Sequence, residues 1–457
     1  MGLSSIMNIG LTGMFAASAS LQTASHNIAN ASTPGFTRQR TLTGSALAVD
    51  TGYGLLGSGT QVMDISRQTD NFLVARQRDQ MAMLSQYAAA DSALATVETI
   101  FGSVENNHLG DALSQFFNAW SSLATPPHSD ALRQDVLGSA ERLALDLQSM
   151  SNSLDSLAGD IDDQMSAGVE SLNSLMTTVA DLNRQILMSE STQSSANDLR
   201  DQRDRLLAEI SSLARTDVIE RDDGTVDVII SGRTLVTRDH VELLEVQHEA
   251  SDDGRPGSAR ITVKDGRYEL VLPEGELLGL QQARDDQVVH SRRELDELAR
   301  TLMERVNELH VQGHSDGGNG LCFFTGESAA DIAVNTALVD NPAFIATSRS
   351  NLSGDADLAQ EIAALGQSGT DVSGGRSMTE LFTDLVVEIA SESAASQYRV
   401  DGQQQMVESL TARLESVRGV SLDEEAANIA LYQNAYQANA RVIAAVQEMF
   451  ESILTMV

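Results

Sequence analysis

Leu3, Met7, Gly10, Met14, Ala17, Leu21, Ala24 and Ile28 follow an unbroken alternation of four- and three-residue steps, which a helix gathers into one stripe. The far end carries a second stripe: Ile429, Tyr432, Tyr436, Asn439, Ile443, Val446, Phe450, Ile453 and Val457 recur every three or four residues. Charge is scarce in both. The first 37 residues hold no Asp, Glu, Lys or Arg, and only Arg441, Glu448 and Glu451 are charged after Glu425. Two low-charge seams at opposite ends predict helices that pack on each other or on copies of themselves.

Between them the period changes several times. Thr33-Pro34-Gly35-Phe36 ends the first helix, with Pro setting one corner of a turn and Gly supplying positive φ at the next. The Thr/Val-rich, glycine-punctuated chain from Phe36 to Arg67 predicts short strands. Helical patterns cover Thr69 to about Ile100, with Phe72, Leu73, Ala75, Met83, Leu84, Tyr87 and Leu94 for the buried side, and Gly110 to Leu123, closed by Pro126-Pro127. Leu132 to Leu187 reads as one long helix, and Leu199, Leu206, Ile210 and Leu213 resume the stripe after a polar break. From Thr216 to Pro273 the text turns β-like: Val218-Ile219, Val226 to Ile230, Val241 to Val246, Ile261 to Val263 and Tyr268 to Leu272, divided by Asp223-Gly224, Asp253-Gly254 and Asp265-Gly266. Helical text returns from Glu276 to His310 and from Met378 to Val417. Gly419-Val420 then breaks the chain, and Ser421 with Glu424 opens the last helix as a capping box.

The predicted fold is mainly α with a small antiparallel β insert: a long helical bundle body, paired coiled-coil-like terminal helices, and discontinuous, nested domains. Residues 1–50 with 418–457 form the terminal assembly domain, 51–215 with 276–417 the helical body, and 216–275 the β domain, placed furthest from the termini.

Composition narrows the function. Aromatics at 4% favour Leu/Ala/Val packing over a dense aromatic core, and a formal charge of -35 opposes binding to nucleic acid or an anionic membrane. No run approaches the roughly 20 apolar residues of a membrane span, and the start lacks the basic flank of a signal peptide. A single cysteine, Cys322, forbids an internal disulfide and reads as a buried thiol. Lys264 is the one lysine, which removes phosphate-loop and Schiff-base chemistry.

No catalytic, metal or cofactor set emerges. Gly52-Tyr53-Gly54-Leu55-Leu56-Gly57 matches a dinucleotide fingerprint, but Ser58 to Val62 reads as strand where a helix is required. His310 and His314 stand four apart at a helix end, where solvated histidines are expected, and Asp316-Gly317-Gly318-Asn319-Gly320 lacks the spaced acids of a calcium loop.

The candidate site is therefore a set of interfaces. Met14, Leu21, Ile28, Tyr436, Ile443, Phe450 and Ile453 supply an apolar seam, with Asn27, Asn30, Gln437 and Asn439 as polar groups setting register. Helices over 3–30 and 422–457 would be about 42 and 54 Å long. Their remaining faces are rich in Ala, Ser and Gly and fit close packing among subunits. Alone, such a pair buries too little to offset its ordering, so the ends are expected to order on assembly.

Ser25-His26-Asn27-Ile28-Ala29-Asn30 followed by Thr33-Pro34-Gly35-Phe36-Thr37-Arg38 resembles the N-terminal signature of bacterial flagellar rod, hook and hook-associated proteins. Gly419 to Asn428 and Tyr432 to Ile443 resemble the matching C-terminal signature, whose Asp423-Glu424-Glu425-Ala426 form is closest to the FlgK family. Phe116-Phe117-Asn118-Ala119-Trp120 and Asn197 to Asp204 are similar to that family's helical body. The resemblance implies a structural subunit at the hook-filament junction, outside the cell, exported unfolded by the flagellar type III system without a cleaved signal. It implies as partners copies of itself in a ring, hook protein, hook-associated protein 3 and a cytoplasmic chaperone holding the C-terminal helix, and no cofactor. The chain is short for that family, so the contacts of the β insert are not read from it. Two alternatives stay open: another axial protein (hook, distal rod or hook-associated protein 3), and a secreted hydrolase, for which no motif speaks.

Overall fold

The computed structural model describes residues 2–50, 54–102, 108–191, 195–250, 256–264, 268–315, 318–350, 354–367, 369–370 and 372–456. It is 66% helical with several small antiparallel sheets. The chain opens with α1 (Leu3–Ala29) and two hairpins: β1 (Gln39–Ser45) pairs with β4 (Thr60–Arg67), and β2 (Val49–Asp50) with β3 (Leu55–Leu56). Through β1 and β4 the chain packs along α1 well past residue 50.

The body follows as α2 (Asn71–Phe101), α3 (His108–Leu123), α4 (Asp130–Glu190) and α5 (Asn197–Leu213). At 61 residues α4 spans about 90 Å and is the mast on which the rest hangs. Asp70 starts α2 by accepting from the Phe72 and Leu73 amides. Leu73 turns inward, whereas Phe72, expected inside, is 72% exposed because it lies on the opposite side of that first turn.

Next come β5 (Asp217–Glu220), β6 (Val226–Ile230), β7 (Arg233–Thr237) and β8 (His240–Val241) in one four-stranded meander, then the hairpin of β9 (Leu244–Ala250) and β10 (Pro256–Val263). Both pack on α4. The expected strand from Val241 to Val246 is divided between two sheets, β7 was not foreseen, and Tyr268 to Leu272 contributes one isolated bridge, Thr262 to Glu269. Asp252-Asp253, Gly254 and the Asp265-Gly266 turn lie outside the described residues.

α6 (Glu276–Gln282) runs through a π-helical stretch, Ala283–Val288, into α7 (Val289–Val311). There Arg284 is buried between Asp162 of α4, at 2.5 Å, and Asp285, at 2.7 Å. Short pieces follow that the sequence did not announce: β11 (His314–Ser315) with β12 (Gly318–Asn319), β13 (Phe324–Thr325) with β14 (Ala333–Val334), α8 (Thr336–Asp340), a 3-10 turn at Pro342–Phe344, and α9 (Asp357–Ala364). Finally α10 (Met378–Arg418) returns along α2, and α11 (Leu422–Met456) closes the chain. The complete capping box belongs to α10, between Ser377 and Glu380; at α11 only the Glu424 amide to Ser421 Oγ half is present, at 3.4 Å.

Three expectations are corrected here. The aromatics, though few, are concentrated: Phe116, Phe117, Trp120, Phe323 and Phe324 form one cluster with ring centroids 4.9 to 6.4 Å apart. His310, taken for a solvated helix end, sits inside that cluster, its Nδ1 donating to the Leu321 carbonyl at 2.5 Å and its Nε2 accepting the Ala346 amide at 3.0 Å. Burial lowers its pKa to about 4, against the opposing Leu321 bond, so it is a neutral staple and His314 is not its partner. Cys322, expected inside, is exposed next to buried Phe323, since the loop carrying it turns Phe323 inward.

One device recurs. Asn27 of α1, Asn173 and Asn183 of α4, and Asn307 of α7 each donate Nδ2 to the carbonyl and accept at Oδ1 the amide of a single residue: Gln39, Leu244, Val226 and Phe324 respectively. An asparagine side chain thus stands in for a strand neighbour and pins each strand's register to a helix.

Candidate functional site: the paired terminal helices

α1 and α11 lie antiparallel. Asn27 Nδ2 reaches Glu425 Oε2 at 3.3 Å, while nearer the other end Gly13 faces Asn439 and Gly10 faces Ile443. A Cβ at Gly13 would stand 2.6 Å from Asn439 Oδ1, and one at Gly10 3.0 Å from Ile443 Cγ1, so both glycines are where the helices approach closest. Gly10, Ala16, Ala17, Ser20, Thr23, Ala24 and Asn27 form the buried line of α1. On α11 the buried side chains are Glu425 and Val446.

This line is rotated from the large apolar positions of the sequence stripe. Met14, Leu21 and Ile28 are half-buried at its margin, as is Ile443, while Tyr436, Phe450 and Ile453 are 40%, 38% and 51% exposed and Gln437 faces solvent. Asn439 bonds the Ala435 carbonyl at 2.9 Å and lies over Gly13. Asn30 bonds locally instead, to the His26 carbonyl at 3.1 Å and to Thr33 Oγ1 at 3.2 Å, at the C-terminal end of α1. The pair of helices thus closes on small residues and leaves larger apolar ones outside. Of the 30 large apolar side chains exposed among the described residues, eight precede Gln68 and eight follow Arg418.

At its inner end the pair is latched to the body by polar groups. Gln39, held at its backbone by Asn27, donates Nε2 to Asp198 Oδ1 at 2.8 Å. Arg38 donates to Glu425 Oε1 at 2.8 Å and Glu424 Oε2 at 2.7 Å, and its amide donates to the Arg418 carbonyl at 2.9 Å. Burial pulls the Arg38 guanidinium pKa down, and the bonds to the two glutamates outweigh it, leaving it above the usual arginine value. Asp201 accepts the Thr37 amide at 2.9 Å and Arg67 Nη1 at 2.9 Å, and Arg67 also reaches Asp204 at 2.7 Å. Burial raises the Asp201 carboxyl above its ordinary range although both donors pull the other way.

Gly35, at φ 76°, lets the Thr33-to-Phe36 turn lie on α5, where a Cβ would meet Arg205 Cδ at 2.4 Å. Arg200 binds Glu190 at 2.7 Å and also Glu220 of β5. The β insert, expected furthest from the termini, therefore begins beside this joint.

The structure thus gathers three separated stretches: Ser25 to Gln39, Asn197 to Arg205 and Arg418 to Glu425. Arg38, Gln39, Glu425, Gly10 and Gly13 were not among the expected site residues. Arg38 beside Arg40, and two glutamates after Asp423 at a helix start, look like ordinary solvated charges, and nothing in the sequence joins them across 387 residues. Among the described residues no group of three or more His, Cys, Asp or Glu is placed to hold a metal ion, and no helix is long and apolar enough to cross a membrane. Gly52-Tyr53 and Asp316-Gly317 lie outside the described residues; Gly57 is followed by β4, not a helix.

Paired terminal helices carried on a helical body, with sequences of flagellar rod type at both ends, place the chain among the axial proteins of the bacterial flagellum. Residues 7–37 match the family model described as flagella basal body rod protein, and 416–456 the one described as flagellar basal body rod FlgEFG protein C-terminal. Residues 94–324, half of the chain, match the helical domain of flagellar hook-associated protein FlgK, and the chain belongs to that family. It is 24% identical to flagellar hook-associated protein 1 of Salmonella typhimurium over 99% of this chain and 100% of that one. The Bacillus subtilis protein of the same name is 24% identical over 95% of each. The flagellar hook junction protein FlgK of Burkholderia pseudomallei shares the fold, with a TM-score of 0.65 at 14% identity, covering 75% of this chain and all of that one.

Proposed function

We propose that this chain is a structural subunit of the hook-filament junction that assembles through α1 and α11. One observation carries the reading: the helix pair seals its own seam with glycine, alanine and serine and turns Phe15, Leu431, Tyr436, Phe450, Ile453 and Leu454 outward on a surface nearly free of charge. A soluble monomer gains nothing by exposing such a surface, whereas a subunit enclosed by copies of itself buries it. Hook protein below, hook-associated protein 3 above, and an export chaperone shielding α11 before secretion are the partners that fit this role. Arrival outside the cell by the flagellar export route fits it as well.

Phe15, 66% exposed on α1, provides the test. Phe15→Asp should leave the monomer's helical content and thermal midpoint unchanged while abolishing incorporation at the hook tip, measured by filament counts and swarming in a strain carrying this chain as its sole copy. Normal swarming would sink the proposal.

A further inference from the structure

In the body, α10 packs chiefly on α2 and presents a bare ridge on its other side. Gln77 Nε2 donates to Thr411 Oγ1 at 2.7 Å and Gln403 Nε2 to the Gln80 carbonyl at 3.0 Å. Half a turn round α10 from Ser396, Gln403 and Leu414, the side chains of Val387, Ser391, Ala394, Tyr398 and Gln405 form an exposed line without charge. Val387 is 50% exposed and Tyr398 78%, and the tyrosine stands as a knob among Ala394, Ala395 and Gly402. Arg399 beside it is the one cation between Arg376 and Arg413, and it makes no ion pair among the described residues.

A groove runs at the same height. About a third of a turn round α2 from α10, Ser85, Ala88, Ser92 and Thr96 face Ser149, Ser153 and Leu157 of α4 across three cavities of about 360, 560 and 760 Å³. Small uncharged side chains form its floor, and Glu98, Asp146, Asp160 and Glu276 stand along its walls. Glu276, at the first position of α6, has no hydrogen-bond or ion-pair partner for its carboxylate among the described residues, and partial burial raises that carboxyl above its ordinary range. Counting along the antiparallel pair from its two glutamine contacts puts Tyr398 level with Ser85 to Ala90, and Val387 level with Thr96 to Phe101.

We propose that the α10 ridge of one copy lies in the α2–α4 groove of the next, with Tyr398 entering the 360 Å³ cavity and its hydroxyl donating to Glu276. The contact rests on the junction reading above and adds to it a seam between bodies, separate from the terminal helices. A second copy is the occupant because each chain carries a charge of -35, so copies side by side repel wherever acid meets acid. Only faces without charge, or with opposite charge, can close. The ridge meets the first condition, and Arg399 against the groove's carboxylates meets the second. The ridge points directly away from α2, so no copy can fill its own groove. One ridge and one groove, level with each other on different sides of the body, make a heterologous contact that repeats from copy to copy around an axis.

The test is made in cells whose only copy is the variant. Tyr398→Asp and Ala88→Arg should each lower filament number at least about tenfold, as loss of a central aromatic anchor or blockage of its pocket does at other interfaces. Tyr398→Phe should stay within a few fold of the parent. Both severe variants should still be secreted and should match the parent by circular dichroism, their positions being exposed. In a Cys322→Ser background that swarms normally, Tyr398→Cys with Ala88→Cys should oxidise, in isolated hook-filament structures, into a ladder of linked copies, and neither cysteine alone should link. Parent-like filament numbers for Tyr398→Asp, or no ladder from the double cysteine variant, overturn the proposal. Linkage by Tyr398→Cys alone shows ridge meeting ridge and overturns it as well. If the parent chain itself forms no junction, the functional reading has failed and this contact falls with it, whereas a working junction without the ladder sinks the contact alone.

Discussion

Asn27→Asp exchanges one atom at the centre of the latch and should uncouple the terminal helices. Asn27 is 1% exposed and Glu425 2%, so neither can turn to water. Asparagine donates Nδ2 to the Gln39 carbonyl at 2.8 Å and to Glu425 at 3.3 Å while accepting the Gln39 amide at 2.9 Å. Aspartate keeps the last contact and sets an oxygen against the other two. Two lost donations to buried acceptors cost about 1–3 kcal/mol each, the larger figure applying at the carboxylate. The new carboxylate also repels Glu425, an effect of about 5 kcal/mol at 3.3 Å for an effective dielectric near 20 if both stay ionised. The pair takes up a proton instead, which for a carboxyl of ordinary pKa about 4 costs about 4 kcal/mol at pH 7; that loss should shrink by about 1.4 kcal/mol per unit as the pH falls from 7 towards 4. Hydrogen exchange on the monomer reads this locally: amides of β1 and the first half of α11 should lose protection while α4 keeps its own. Equal protection of α11 in variant and parent at pH 7 would show that the latch contributes nothing to holding the pair.

Gly13→Val places a branched side chain 2.6 Å from Asn439 Oδ1 and should weaken α1 against α11 by about 1–3 kcal/mol. Its signature is earlier proteolysis of residues 1–30 with an unchanged body, and an unaltered cleavage rate refutes it. His310, with a pKa near 4 when folded and 6.5 in the unfolded chain, binds its proton preferentially in the unfolded state across that window. The body should therefore keep its full stability above about pH 6.5 and lose about 3 kcal/mol as the pH falls to about 4. Comparing urea midpoints with His310→Gln checks this, because the variant should lack that part of the pH slope.

Much of the architecture was legible because periodicity reports local geometry. The 61 residues of α4, the terminal helices and the β-like insert all announced themselves through their spacing and their breakers. What stayed hidden depends on partners distant in the chain. Neither Asn183 nor Asn307 differs in the sequence from a solvated asparagine, yet each grips a strand from a helix. Likewise Arg200 and Asp201, which sit in a dense run of Asp and Arg that reads as a charged surface face, are ligands for Glu190, Glu220, Thr37 and Arg67.

The terminal stripe shows the same division at higher resolution. Spacing placed Met14, Leu21 and Ile28 on the seam, and the buried line instead passes through Gly10, Ala17, Ser20, Ala24 and Asn27. Large apolar residues give the stronger periodic signal, so a sequence reading centres the stripe on them. Close approach of two helices selects small residues instead, because each additional carbon holds the axes apart. A helix with one partner would bring these two centres together. In α1 they are offset, with three positions shared and the bulky ones displaced to one margin, because the helix has two neighbours within the chain: α11 over Gly10 and Gly13, and the β1–β4 hairpin over Thr12, Thr23 and Asn27. Neither neighbour covers Phe15, which is 66% exposed, so the part of α1 left for a contact outside the chain is marked by that residue and not by the stripe.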